Sequence, residues 1–144
     1  MPINGVVESK LRFLEQVLAD LESWPLGDPA QFARNSMLRR AVERALQLEI
    51  ESMIDVSERI LAAQHLAPAD TAAQNFQRLQ EVGILKEADR YTEIVRFRNS
   101  VAYRYEQIEP EIIYNLAKNK LDRFREFIDE IRTACAGGTS GSGA

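Results

Sequence analysis

The sequence has one cysteine and one histidine among its 144 residues, and this scarcity excludes several kinds of site. Cys135 has no second cysteine with which to form an intrachain disulfide or a cysteine-rich zinc site. One histidine supports neither a histidine-based zinc site nor a Ser/His/Asp triad. His65 comes at the end of a long predicted helix, where a cation stabilises the negative end of the helix dipole. We therefore expect no metal and no cofactor, and structural roles for both residues.

Long hydrophobic runs and an excess of basic residues are also missing. No stretch approaches the roughly 20 apolar residues of a membrane-spanning helix, and the first residues lack the basic and apolar regions of a signal peptide. The net charge of −4 provides no global field that would attract a nucleic acid. Contact with RNA would need a local basic cluster, such as Arg39-Arg40 or the segment 90–104. We expect a cytoplasmic protein without membrane contact.

Strand-like alternation of polar and apolar residues is absent, and helical spacing is present throughout. Leu11, Leu14, Leu18 and Leu21, for example, form one apolar stripe. Helices are predicted at residues 6–23, 37–64, 71–82, 87–104 and 110–134, with a short piece after Asp28-Pro29. Short connections favour antiparallel neighbours. The sequence therefore predicts an all-α fold, an antiparallel up-down bundle of about five main helices.

The C-terminal segment 137–144, GGTSGSGA, differs in composition from the rest of the chain. Glycine and serine runs of this kind are typical of flexible linkers and tails. We expect residues 1–136 to form one helical domain and residues 137–144 to form a flexible tail. A domain of this size buries about two thirds of its unfolded surface and needs no metal or disulfide to fold.

The helix predicted at residues 87–104 carries an arginine where its periodicity calls for an apolar residue. Its inward stripe runs through Tyr91, Ile94 or Val95, Arg98, Val101 or Ala102, and Tyr105. A guanidinium at such a position needs an ion-pair partner, a wet cleft or an anionic ligand. The spacing leaves a structural salt bridge and a functional anion site open, with Glu51 and Asp55 as candidate partners.

Two further groups of polar residues have both a structural and a functional interpretation. Arg96, Asn99, Ser100 and Tyr103 share a second face of the same helix, which lines a groove or meets solvent. Asp55 and Glu58 are i, i+3 neighbours on the long helix. A carboxylate pair can serve catalysis, but a solvated or arginine-pairing face is the preferred interpretation.

The segment Arg98-Asn99-x-x-x-Tyr103-x-Tyr105 resembles the ribonuclease motif of HepT-type toxins in the HEPN superfamily. That motif consists of arginine, a polar residue, three further residues, histidine, one residue and tyrosine. The similarity extends to blocks at 39–46, 51–55, 76–85 and 109–114, and spans nearly residues 8 to 132. The chain departs from the motif at one position, because Tyr103 stands where the histidine is expected.

The resemblance implies a homodimeric, metal-independent endoribonuclease that acts as a toxin. It implies neutralisation by an MntA-type nucleotidyltransferase antitoxin, which transfers AMP to tyrosine. Arg98 would bind the scissile phosphate, Asn99 would orient the site, and the residue at 103 would move protons. Arg96 and Arg104 would join Arg98 in contacting RNA. Tyr105 matches the tyrosine that the antitoxin modifies.

The replacement at position 103 changes the expected chemistry. An unperturbed imidazole titrates at a pKa of about 6.5, whereas an unperturbed phenol titrates at about 10 and is a poor base at neutral pH. General acid–base catalysis contributes roughly 10²–10⁴-fold, so the change to Tyr103 is expected to remove most nuclease activity. Two alternatives stay open: a non-catalytic HEPN dimer that binds a partner or RNA, and a helical interaction domain in which the motif is coincidental.

Overall fold

The computed structural model describes residues 5–67, 69–103 and 108–142, with side chains for 5–67, 69–100 and 108–136. These parts contain α-helices and one 3₁₀ turn and no strand, so the predicted all-α helical bundle is confirmed. The helices are α1 (Gly5–Ser23), α2 (Pro29–Arg34), α3 (Ser36–Ala63), α4 (Ala72–Glu81), α5 (Thr92–Tyr103), α6 (Pro110–Asn119) and α7 (Leu121–Ser142). The 3₁₀ turn, Ala88–Tyr91, leads directly into α5.

Three of the helices have a side-chain cap at their N-terminus. Asp28 accepts a hydrogen bond of 2.8 Å from the Gln31 N–H, with Pro29 in the first turn of α2. Asn35 caps α3 through the Leu38 N–H at 3.0 Å, and Thr71 caps α4 through the Gln74 N–H at 3.2 Å. Such caps satisfy N–H groups that a helix start leaves without an internal partner. The cap at Thr71 places the beginning of α4 at the candidate site described below.

The core joins the predicted leucine stripe of α1 to the apolar faces of the other helices. Three aromatic rings meet in its centre, with Phe76, Tyr91 and Phe127 at centroid distances of 5.8 to 5.9 Å from one another. All three side chains are almost completely buried. Because these rings come from α4, the 3₁₀ turn and α7, they hold the segment that leads into α5 against α4.

The single helix predicted at residues 110–134 is in fact two helices, and the second is longer than predicted. Lys120 ends α6 with a backbone φ of −122°. Neither glycine nor proline stands at this break, so the local sequence carries no strong stop signal. Helix α7 continues to Ser142, although glycine has low helix propensity. The flexible tail at 137–144 stays a prediction.

The single histidine and the single cysteine occupy positions with evident structural roles. His65 follows the end of α3 with a φ of +61° and donates its N–H to the Ala62 carbonyl at 3.0 Å. A left-handed residue just after the last turn is a common helix ending. Cys135 is buried on α7, where burial raises the pKa of its thiol.

Candidate functional site

Helix α5 carries Arg98 among its buried side chains. Ile94, Val95 and Phe97 are buried, whereas Arg98 is half-buried and Asn99 is exposed. The predicted inward stripe omitted Phe97, which is 2% exposed, and included Arg98, which is only partly inward. The physical reason is that the apolar Phe97 ring packs in the core, whereas the long Arg98 side chain extends to a cleft at the surface.

Arg98 and Asn99 line one cleft between α3, α5 and the start of α4. The cleft has a volume of about 240 Å³. Ile54 and Glu58 of α3 form one wall. The opposite side consists of residues before and within the first turn of α4: Ala69, Asp70, Thr71, Ala72, Ala73 and Asn75. Two adjacent residues of the sequence motif thus meet groups from two other helices.

The salt bridge considered for Arg98 is not formed among the residues that the structure describes. Asp55 instead binds Lys10 at 2.6 Å and Arg59 at 3.1 Å. Burial would raise the pKa of Asp55, but hydrogen bonds from these two cations outweigh it and hold the pKa below its ordinary value. Glu51 is exposed. Arg98 instead lines the cleft, and the anion site stays a prediction.

Side chains of both charges line this cleft. Arg98, Glu58 and Asp70 all line it, yet none of the three takes part in an ion pair within the described parts of the chain. Elsewhere several arginines are paired with acidic residues, as Arg90 is with Glu126 and Arg132 with Glu15. The start of α4 adds the partial positive charge of a helix N-terminus. The cleft can therefore bind an anion together with a hydrogen-bond donor.

Asn75 is a cleft residue that the sequence reasoning missed. It is 3% exposed, and its Oδ1 accepts a hydrogen bond of 2.7 Å from the Ala69 N–H. Its Nδ2 makes no hydrogen bond within the described residues, which leaves an amide donor at the cleft. The sequence pattern could have indicated this residue, because Asn75 falls between Ala72 and Phe76 on the inward face of α4. A polar residue in an apolar stripe needs an explanation.

Not all of the other predicted site residues lie at this cleft. Arg96 is exposed and lines a separate, more apolar groove with Phe97, Ser100 and Ile112. Asn99 lies between the two regions, since it also borders a depression that contains Arg96. Tyr103 is the last residue of α5, and its side chain lies outside the described residues, as do Arg104 and Tyr105.

No group of three or more His, Cys, Asp or Glu side chains among the described residues is arranged to hold a metal ion. None of the helices in this part of the chain is long and apolar enough to cross a membrane.

Comparison with known proteins connects this fold to one family. The family model described as ribonuclease HepT-like matches residues 14–131, which include every described cleft residue. The mRNA nuclease HepT of Shewanella oneidensis is 23% identical over 132 residues, covering 90% of this chain and 98% of that protein.

Solved structures with the same fold include two toxin–antitoxin complexes. One contains AMP-PNP and superposes with a TM-score of 0.80 at 22% identity, over 90% of this chain and 99% of the other. The second is a tri-AMPylated Shewanella oneidensis HEPN toxin with its MNT antitoxin, with a TM-score of 0.80 and 22% identity over 91% and 99% of the two chains. YutE of Bacillus subtilis, a cytosolic protein of unknown function, has a TM-score of 0.76 and 20% identity over 89% and 87%. These likenesses support the same helical architecture over nearly the whole chain.

Proposed function

Because this chain belongs to the ribonuclease HepT-like family, we propose that it is the toxin of a toxin–antitoxin pair and has the architecture of a metal-independent endoribonuclease. The observation that carries the proposal is the cleft in which Arg98 and Asn99 stand together. Within the described part of the chain, the Arg98 guanidinium has no ion-pair partner there. In this proposal the protein works in the cytoplasm as a homodimer, and RNA is its substrate.

Arg98 would bind the phosphate at which the RNA chain is cut. A guanidinium presents a rigid set of N–H donors that matches two phosphate oxygens, and it stays charged throughout the physiological pH range. The cleft is partly shielded from solvent, which strengthens such hydrogen bonds and stabilises charge that develops during phosphoryl transfer. Asn99, the next residue, would orient the bound group. Arg96 and Arg104 would contact RNA outside the cleft.

Tyr103 favours a second candidate function, a non-catalytic HEPN dimer that binds RNA or a partner protein. The motif has a histidine at this position, and a phenol replaces it here. The loss of an efficient proton-transfer group would weaken or abolish cutting without removing Arg98. Binding of RNA and binding of the antitoxin would then be the functions that survive.

Binding of single-stranded RNA should depend on Arg98. We expect Arg98→Ala to weaken binding at least about tenfold, because a charge-assisted hydrogen bond contributes roughly 1.5–3 kcal/mol. Fluorescence anisotropy with a labelled oligoribonucleotide measures the change. Arg125→Ala is the matched control, since it removes the same charge at a surface pair with Glu22. Equal affinity of Arg98→Ala and the native chain would contradict the proposed phosphate site.

The antitoxin is proposed to be a nucleotidyltransferase of the MntA type. The similar Shewanella oneidensis HEPN toxin carries AMP groups in its complex with an MNT antitoxin. We propose that Tyr105 of this chain is the acceptor. Its phenolic oxygen would lose its proton to solvent and form a bond to the α-phosphorus of ATP, and the bond from that phosphorus to the bridging oxygen would break as pyrophosphate leaves.

A mass shift of one or more AMP units is expected when the chain is incubated with such an antitoxin, Mg²⁺ and ATP. Tyr105→Phe should abolish the shift, because phenylalanine has no oxygen to form the phosphodiester. Intact-mass spectrometry makes the measurement, and Tyr114→Phe serves as the control. Undiminished modification of the Tyr105→Phe protein would assign the acceptor elsewhere.

A further inference from the structure

We infer that Glu58 is the proton acceptor of this site and carries out the base step that a motif histidine would otherwise perform. The inference rests on the proposed endoribonuclease function. It starts from the location of Glu58 on the wall of the cleft that contains Arg98. A chain with a phenol at position 103 needs a different group to deprotonate an attacking hydroxyl at neutral pH.

Glu58 and Asp55 lie one helical turn apart on α3, but their carboxylates have different surroundings in the structure. Asp55 is held by Lys10 and Arg59. Glu58 is half-buried at the cleft and makes no ion pair or hydrogen bond within the residues described. Its carboxylate is therefore available to a ligand, whereas that of Asp55 is occupied.

The polar groups of the cleft complement one particular unit of RNA. Arg98 and the Nδ2 of Asn75 supply donors, which suit the non-bridging oxygens of a phosphate. Glu58 supplies an acceptor, which suits a hydroxyl. In RNA the 2′-hydroxyl and the 3′-phosphate lie side by side on one ribose, so one cleft can engage both. DNA lacks the hydroxyl and would leave the acceptor without a partner.

Asp70 is the other carboxylate at the cleft and is less suited to the base step. It is exposed and lies in the connection before α4, whereas Glu58 is half-buried in the second-last turn of a long helix. Catalytic geometry is held better by a helix than by a loop. Partial burial also protects the carboxylate from competing water molecules. Asp70 therefore provides a control with the same charge in the same cleft.

The proposed step is an internal transfer at phosphorus. The Glu58 carboxylate takes the proton of the 2′-hydroxyl, and the 2′-oxygen forms a bond to phosphorus. The bond between phosphorus and the 5′-oxygen of the next nucleotide breaks, and that oxygen takes a proton from solvent. Glu58 then returns its proton to solvent. The products are a 2′,3′-cyclic phosphate and a 5′-hydroxyl, while Arg98 and Asn75 bind the phosphoryl oxygens.

The test compares Glu58→Gln with Asp70→Asn in the full chain, using a labelled RNA oligonucleotide and its 2′-deoxy counterpart. We expect slow cleavage of the RNA by the native chain and a loss in kcat of about 10²-fold or more in Glu58→Gln. KM should stay equal or fall, because the substitution removes a negative charge beside the phosphate. Asp70→Asn should stay within about threefold of the native rate, and no variant should cut the deoxy oligonucleotide. Thermal unfolding confirms that each variant is folded.

Three outcomes would overturn the assignment, and they are distinguishable. Arg98-dependent cleavage that is undiminished in Glu58→Gln would show that another group is the base. A native chain that does not cut, beside a Tyr103→His variant that does, would remove Glu58 from the mechanism while leaving the nuclease architecture intact. If neither protein cuts and Arg98→Ala leaves RNA binding unchanged, the proposed function itself fails and the inference fails with it.

Discussion

A Tyr103→His variant is expected to cleave RNA about 10² to 10⁴ times faster than the native chain. The substitution restores the histidine that the family motif has at this position, five residues after Arg98. An imidazole near its unperturbed pKa exchanges protons in both directions at neutral pH, whereas a phenol gives up its proton only at much higher pH. The expected gain is the range that general acid–base catalysis contributes. Cleavage of a labelled RNA under single-turnover conditions measures it.

Two further variants show whether a gain arises at the proposed site. The double variant Tyr103→His with Arg98→Ala should return to background, because the phosphate would no longer be held. Tyr103→Phe should cut no faster than the native chain, since it removes the phenolic hydroxyl and adds no proton-transfer group. A Tyr103→His protein that binds RNA and does not cut it would favour the non-catalytic dimer as the function of this chain.

Glu49 should make the stability of the fold fall as the pH rises. Its side chain is 0% exposed on α3, and neither carboxylate oxygen has a hydrogen-bond partner among the residues that the structure describes. Burial raises the pKa of Glu49 to about 9. The unfolded chain gives up this proton near pH 4.5, so the stabilising effect of the neutral acid is complete below that pH. It is lost progressively between about pH 4.5 and 9, on the order of 1 kcal/mol per pH unit.

Urea unfolding at fixed protein concentration should therefore show a native chain that is roughly 3 kcal/mol less stable at pH 8 than at pH 5. Glu49→Gln should lose much less over the same range, because an amide does not ionise there. Glu51→Gln is the matched control, since Glu51 is exposed on the same helix. A Glu49→Gln protein with the same pH dependence as the native chain would show that another group causes it.

The sequence was most informative where a local rule decides the structure. Asp28 and Pro29 predicted the start of α2, and the capping bonds of Asp28 confirm it. The leucine spacing of α1 predicted which side chains are buried. Caps and apolar stripes depend on residues within a few positions of one another, which explains why these predictions are correct. The motif from Arg98 to Tyr105 indicated the family for a similar reason, because it is a short pattern at a definite spacing.

The cleft itself depends on contacts that no local pattern records. Periodicity shows which face of a helix is apolar, and it does not show which helices meet at its edge. Glu58, Asn75 and Arg98 come from three different helices. The sequence alone gives no reason to treat the carboxylates of Asp55 and Glu58 differently. Only the positions of Lys10 and Arg59 decide which of the two forms ion pairs.

The sequence by itself therefore determined an all-α bundle, its family and the residues of one motif. Tertiary structure decided that Phe97 is buried in the core, whereas Arg98 lines a cleft. It also decided that Glu49 is buried with no hydrogen-bond partner in the described part of the chain, and that Glu58 lines the cleft. The physical reason is the same in each case: burial and charge pairing are properties of the packed neighbours, which lie far apart along the chain.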